Sequence, residues 1–233
     1  MELSVWPDNY DLSESPEVEN RLETFINTQM AALKAFDKKR ELWVKENLPA
    51  NYQMTYYFHD HAYRAAQDVK ETALYMGMSP LTADNLYKAM LPHDIGKSLL
   101  PLHIWDTLEK PENDIKKLRR SHTELGVNII EEVLGDLDHP AIMLMKDIML
   151  NHHEQMDGQG FLGKTGDTLS APVRLACIVE SFDGYSIVRP HFGDRDISVS
   201  GVLKRMREEK GASIYDMELF EAFANMKMEQ DKT

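Results

Sequence analysis

Leu91-Pro92-His93-Asp94-Ile95-Gly96-Lys97 puts an imidazole, a carboxylate and an ammonium within one turn of chain. Adjacent His and Asp side chains can each donate to a metal. The carboxylate can bridge two cations, and a lysine three residues on can hold an anion over them. Alone, such a pair is more often a helix cap or a surface pair than a ligand set, so its meaning rests on what the rest of the chain brings to it.

Upstream, apolar Leu22, Phe25, Leu33, Phe36 and Trp43 recur at helical spacing from Glu17 to about Asn47, with Gln29 and Arg40 interrupting, which predicts one long amphipathic helix. Such a helix either packs on its own domain or pairs with a second copy as a loose coiled coil, a homodimer through the N-terminal helix. A second helix, roughly Met54 to Met76, turns Ala62, Ala65, Ala66, Val69 and Ala73 inward, with His61 one turn ahead of Ala65, and Gly77 stops it. Ser79-Pro80 caps and opens a third helix that is expected to run to His93-Asp94, with Gly96 as its stop and Lys97 in the loop beyond. After a polar turn around Lys110 to Asp114, His122, Leu125, Gly126, Ile129, Ile130 and Val133 form a buried stripe. A further helix from about Pro140 ends at His152-His153, and another from about Pro172 to Tyr185 can turn Glu180 inward. Between these two lies a stretch with Gly158, Gly160, Gly163 and Gly166, read as a lid or rim.

Placed on these helices, the histidines acquire a common spacing. His61 to His93 is 32 residues, Asp94 to His122 is 28, His122 to His152 is 30 and His153 to Glu180 is 27. Each interval is one helix with its connections, so antiparallel helices return the chain to the same end of a bundle every time. The convergent set is His61, His93, Asp94, His122, His152, His153 and Glu180. Seven oxygen and nitrogen donors exceed the four of a structural zinc and suit two ions about 3.5–4 Å apart.

Composition bounds the partners. Acidic residues outnumber basic ones by 39 to 26, and a formal charge of −13 repels nucleic-acid polymers and anionic membranes. A small phosphorylated nucleotide needs only a local basic pocket. A single cysteine, Cys177 in an apolar run, and the lack of a signal-like N-terminus or a long apolar stretch favour a reducing cytoplasm. Residues 1–50 are expected to form an extended lead-in and the long helix, and residues 51–233 the metal-binding domain.

His61 with Arg64, His93-Asp94-Ile95-Gly96-Lys97, His122-Thr123-Glu124-Leu125-Gly126 and His152-His153-Glu154-Gln155-Met156-Asp157-Gly158-Gln159-Gly160 occur in an order that resembles the HD-GYP branch of the HD superfamily of metal-dependent phosphohydrolases. Arg189-Pro190-His191 and the stretch from Gly211 to Phe223 extend the resemblance over about residues 54–224. It implies an all-α helical bundle, here with an N-terminal helical extension, a binuclear iron or manganese centre, and hydrolysis of cyclic di-GMP or a related cyclic dinucleotide. Three departures stand out. Gly160-Phe161-Leu162 replaces the family's Gly-Tyr-Pro, Glu180 stands at the last aspartate ligand, and Tyr57 stands where some members place a glutamate for a third metal.

Under that reading Asp94 bridges two ions that acidify a shared water, and the resulting hydroxide attacks phosphorus in line. Lys97 neutralises a phosphoryl oxygen, and Arg189 and Phe161 contact substrate. Asp157 orients a ligand histidine, unless its Asp-Gly pair is only a turn. Asp183 backs the site and is the reserve ligand to Glu180. Two other classes fit the same donors: a di-iron oxygenase of the HD type, and a catalytically silent nucleotide-binding sensor.

Overall fold

A computed structural model describes residues 6–188 and 193–232 of the protein. Among its described residues the regular elements are helices, apart from one isolated bridge between Asp157 and Thr165, and no helix is long and apolar enough to cross a membrane.

Helix α1 (Pro16–Asn47) follows the predicted seam, burying Leu22, Phe25, Ile26, Met30, Leu33 and Phe36 against the chain's own core. Arg40 does not interrupt that seam as expected. It is 1% exposed, donating to Asp37 (2.7 Å) and, through two nitrogens, to Asp106 (3.0 Å each), while its guanidinium lies 3.8 Å over the Phe58 ring. A buried charge is tolerated here because carboxylates answer it on two sides.

Helix α2 (Phe58–Tyr75) begins later than the periodicity predicts, and α1 supplies the reason. Arg40 takes the Tyr56 carbonyl (3.1 Å) and Asp37 accepts the His59 amide (2.8 Å), so a neighbouring helix holds the chain ahead of the extended N-cap Tyr57 and caps the start of α2. Gly77, at φ +81°, closes its far end as expected. Helix α3 (Pro80–Met90) is capped by Ser79, whose hydroxyl accepts the Thr82 amide. It stops at Met90 rather than His93-Asp94: Leu91 keeps helical backbone, but Pro92 has no amide to continue the ladder. A tight 3₁₀ stretch, Ile95–Leu99, follows.

The polar segment hides a short helix, α4 (Asn113–Arg120), that the expected turn did not include; Ile115 and Leu118 are its only apolar residues, too few to stand out as a period, and none of its residues is buried. Helices α5 (His122–Leu134), α6 (Pro140–Asn151) and α7 (Ala171–Tyr185) complete the bundle, although Val133 is 44% exposed and not part of the α5 inner stripe. His139 and Ser170 cap α6 and α7, each just ahead of an early proline. Helices α8 (Val199–Arg205) and α9 (Met217–Gln230) close over α2 and α7 through Phe220 and Phe223.

Leu33 is fully buried on α1, so Leu33→Ala leaves a cavity in the shared core. Urea unfolding is expected to lose about 2–5 kcal/mol in a single transition. A loss below about 1 kcal/mol would mean that α1 lies on the core without being part of it.

Candidate metal centre

Every predicted donor except Glu180 sits at or beside a helix end. His61 lies in the first turn of α2, His93 and Asp94 just after α3, His122 at the first residue of α5, and His152 and His153 just past α6. Glu180 reaches in from the third turn of α7. The structure brings all seven together, six of them with side chains at most 11% exposed and His153 at 21%.

The atoms separate into two groups that share Asp94: His61, His93, Asp94 and Glu180 in one, Asp94, His122, His152 and His153 in the other. Asp94 Oδ2 lies 3.4 and 3.5 Å from Nε2 of His61 and His93, and its Oδ1 lies 3.2 and 3.7 Å from Nε2 of His122 and His152. Glu180 Oε2 is 2.8 Å from His61 Nε2 and 3.4 Å from His93 Nε2, with Oε1 4.0 Å from His153.

Tautomers follow from the other ring nitrogen. His93, His122 and His152 each place Nδ1 at a backbone carbonyl, of Met90 (2.9 Å), Arg119 (2.7 Å) and Met149 (3.0 Å). A carbonyl only accepts, so Nδ1 carries the proton and Nε2 is a lone pair. His61 Nδ1 donates likewise to Asp183 Oδ2 (2.6 Å). Lone pairs therefore meet at 3.1 Å between His61 and His93 and 3.3 Å between His122 and His152, beside carboxylate oxygens, and Asp94 Oδ1 and Glu180 Oε2 have no hydrogen-bond donor among the described residues. Glu180 Oε2 lies within bonding distance of His61 Nε2, yet without a proton on that nitrogen it faces only another acceptor.

Burial pushes the carboxyls of Asp94 and Glu180 up, but Lys97 and His93 around the first and His61 beside the second outweigh it and hold both well below the carboxylate range. Burial and neighbouring imidazoles push His152 far down, and burial takes His153 to about 3. His61 is drawn up by Glu180 and Asp183 despite burial. A proton on His61 answers one oxygen; a divalent cation answers several donors at once and displaces that proton. The donor set fits metal ions.

Two predicted placements change, those of Asp157 and Lys97. Asp157 is exposed, its carboxylate accepts the Gln159 amide (3.0 Å), and it touches none of the seven donors, so it is the turn residue. Asp183 does the orienting, bonded to His61 and braced by Arg64 Nε at 2.6 Å. Lys97 is no loop lysine: it is 6% exposed, pairs with Asp94 Oδ2, and lies 4.7 Å from the Phe58 ring and 5.6 Å from that of Tyr56. Tyr57 turns from the cluster to donate to Glu41 (2.7 Å), which together with burial pushes its phenol up to about 12. Arg189, with Pro190 and His191, lies outside the described residues.

Phe161 stacks on His153, with ring centroids 4.4 Å apart. Glu154, 2% exposed, sets that position by accepting the Leu162 and Lys164 amides (2.7 Å each). A cavity of about 390 Å³ opens over the cluster, walled by Tyr56, Phe58, Lys97, Trp105 and Phe161. The Trp105 indole N–H has no acceptor among the described residues. Sequence reading missed Arg40, Trp105 and Asp106 in this wall, because nothing in their spacing ties them to the histidines.

The chain belongs to the HD domain family, whose model matches residues 44–219. Members of this family that hydrolyse phosphoesters are metal-dependent, as the cluster's donors would allow. A protein of Vibrio cholerae named a probable cyclic di-GMP phosphodiesterase is 34% identical over 109 residues, 46% of this chain and 25% of that protein. A cyclic di-GMP phosphodiesterase of Thermotoga maritima is 27% identical over 175 residues, 73% of this chain and 45% of that protein. The chain thus spans between about a quarter and a half of the length of these curated relatives. Bd1817, an HDG"Y"P protein from Bdellovibrio bacteriovorus, shares the fold with a TM-score of 0.59 at 16% identity, covering 92% of this chain and 66% of its own.

Gly96 is here for close approach and not as a helix stop. A Cβ on it would sit 2.0 Å from the His122 carbonyl and 2.6 Å from the Gly126 amide, both backbone atoms of α5. Gly96→Ala must therefore push α5, and with it His122, off the Asp94 turn. The expected cost is at least about 1–3 kcal/mol in urea unfolding, with reduced metal content in the folded fraction. Unchanged stability and metal content would show that α5 yields without moving the site.

Proposed function

We propose that this chain is a metal-dependent phosphodiesterase acting on a cyclic dinucleotide, cyclic di-GMP or a close relative. The observation that carries the reading is the carboxylate of Asp94, whose two oxygens each face a different pair of imidazole lone pairs in the core. His61, His93, Asp94 and Glu180 would hold one divalent ion, and Asp94, His122, His152 and His153 a second. Imidazole and carboxylate donors without a thiolate suit iron or manganese. The names of the two curated relatives support the substrate class.

Bound ions supply Lewis acidity toward phosphoryl oxygens and an acidified water. The protein's own groups do the rest. Lys97, held beside Asp94 in an aromatic trough, places a fixed positive charge where phosphate charge concentrates in the transition state. Phe161, fixed on His153 by the Glu154-anchored loop, offers a face on which a base can stack. Tyr56, Phe58 and Trp105 exclude water from the opposite wall and strengthen each electrostatic contact inside it. Arg189 is assigned to a substrate phosphate on its place in the motif alone. A reducing cytoplasm suits the buried, unpaired Cys177. The apolar seam of α1 is buried in its own chain, so dimerisation through it is not proposed.

Metal analysis of protein purified without chelators, followed by turnover assays of the same sample on cyclic dinucleotides, linear dinucleotides and generic phosphoesters, tests the reading. Turnover of organic substrates with oxygen consumption and no phosphoester cleavage would replace it with the oxygenase class. Tight nucleotide binding without turnover in metal-replete protein would replace it with the sensor.

Two substitution experiments follow. Asp94→Ala is expected to empty both ion positions, and Glu180→Gln to lower occupancy of one far more than Asp183→Asn does; full occupancy in the first variant, or the reverse ranking, overturns the ligand assignment. Lys97→Met, read in metal-loaded protein, is expected to keep its ions while turnover falls at least about tenfold, roughly 1.4 kcal/mol of transition-state stabilisation. Unaltered turnover removes Lys97 from catalysis, and lost metal makes it a support for Asp94.

A further inference from the structure

The cavity over the cluster continues past the aromatic wall to Lys116 and Arg120 of α4. A second groove of about 530 Å³ borders the same two residues and Phe161, and adds Lys117, with Glu124 also at its edge but in no ion pair with these cations among the described residues. Helix α4 reads Asn113-Asp114-Ile115-Lys116-Lys117-Leu118-Arg119-Arg120, four cations in five positions of a chain whose net charge is −13. Arg119 is committed to the fold, donating to the carbonyls of Ile104 and Trp105. The other three have no carboxylate within ion-pair distance among the described residues, and Lys116 reaches only the amide oxygen of Asn113, at 3.4 Å.

Lys116 and Arg120 are one helical turn apart, where like charges repel and destabilise a helix. A chain with 39 acidic residues has ample means to neutralise them and does not do so here. The cations also adjoin the centre: the Arg120 guanidinium lies 4.8 Å from the Phe161 ring, which itself stacks on His153. One aromatic ring thus stands between the metal-ligand histidines and a cluster of unanswered positive charge.

We propose that Lys116, Lys117 and Arg120 form a second anion subsite, holding the phosphate of a two-phosphate substrate that is not being cleaved. The identity of the ligand rests on the phosphodiesterase reading above; the presence of an anion site does not. A cyclic dinucleotide carries two phosphodiesters on opposite sides of its ring. With one over the cluster and Lys97, the other projects away and needs its own cations. A base stacked on Phe161 between them sets the span. The subsite therefore selects dinucleotides over single phosphodiesters, which occupy the cluster alone.

The test compares the full, metal-loaded chain with a Lys116→Gln, Lys117→Gln, Arg120→Gln triple variant. A control of the same net charge replaces three exposed lysines of α1: Lys38→Gln, Lys39→Gln, Lys45→Gln. No residue of α4 is buried, so the variant keeps the fold, which its melting temperature verifies. Calorimetric binding of cyclic di-GMP is measured at low and high salt, alongside turnover of bis(p-nitrophenyl) phosphate. The α4 variant is expected to bind cyclic di-GMP at least about tenfold more weakly, with a flatter salt dependence. That loss should exceed any change in kcat/KM on the single ester at least about tenfold, and the α1 control should not reproduce it. Equal affinity in variant and wild type, parallel losses on both ligands, an equal loss in the control, or no dinucleotide binding by the wild type each overturns the subsite. A wild type that cleaves no phosphoester but loses dinucleotide affinity in the α4 variant overturns the phosphodiesterase reading and leaves the subsite standing.

Discussion

Four imidazole lone pairs aimed at one buried carboxylate form the constraint to which the rest of this structure conforms. Such an arrangement is repulsive unless something positive answers it, and it persists because each ring is fixed from behind. Three Nδ1 protons go to backbone carbonyls three residues upstream, at helix ends where carbonyls are not taken up by the helix itself. The fourth goes to Asp183, which Arg64 holds in turn. The rings are thus positioned by helix termini, so their geometry is inherited from the bundle and not from loops. The spacing of about thirty residues is the sequence trace of that rule: one helix out and one turn back to the same end.

Legibility follows from the same rule. The seven donors and the helices carrying them could be read from sequence, since a donor at a helix end next to an apolar stripe leaves a periodic mark. What lacked such a mark was lost. Helix α4 spans eight residues and has only Ile115 and Leu118 as apolar positions, too short a pattern to distinguish from a polar turn. Asp157 and Asp183 are both aspartates near ligands, and only the path of α7 against α2 shows that Asp183 meets His61. Gly96 reads as a helix stop because its real reason, the backbone of α5 pressed on its Cα, is a tertiary contact. Lys97 follows a glycine and so reads as exposed, whereas the 3₁₀ turn rolls it under Trp105 and Phe58.

The rim shows how a changed motif can keep its geometry. Phe161-Leu162 lacks the hydroxyl and the rigid proline of Gly-Tyr-Pro, yet Phe161 lies flat on His153 at an interplanar angle of 29°. The loop is placed by its backbone: the Leu162 and Lys164 amides both bind the buried Glu154 carboxylate, and Met156 and Asp157 pair with Ile214 and Ser213 of the closing segment. A buried carboxylate accepting two amides is a strong anchor and is indifferent to the side chains beyond it. The aromatic face is therefore retained while the recognition a tyrosine hydroxyl would add is absent.

Arg40 extends this dependence beyond the segment that matches the family, which begins at residue 44. From α1 it grips Asp106 with two hydrogen bonds, takes the Tyr56 carbonyl and lies on Phe58, so three parts of the cavity wall hang on one guanidinium. Removing it would leave Asp37 and Asp106 as uncompensated buried charges, an effect of about 3–5 kcal/mol where one partner of such a pair is lost. The aromatic trough that holds Lys97 beside Asp94 is built from two of these, Tyr56 and Phe58, together with Trp105, which packs on Phe58. The position of the ammonium over the carboxylate thus depends on a helix that carries none of the donors.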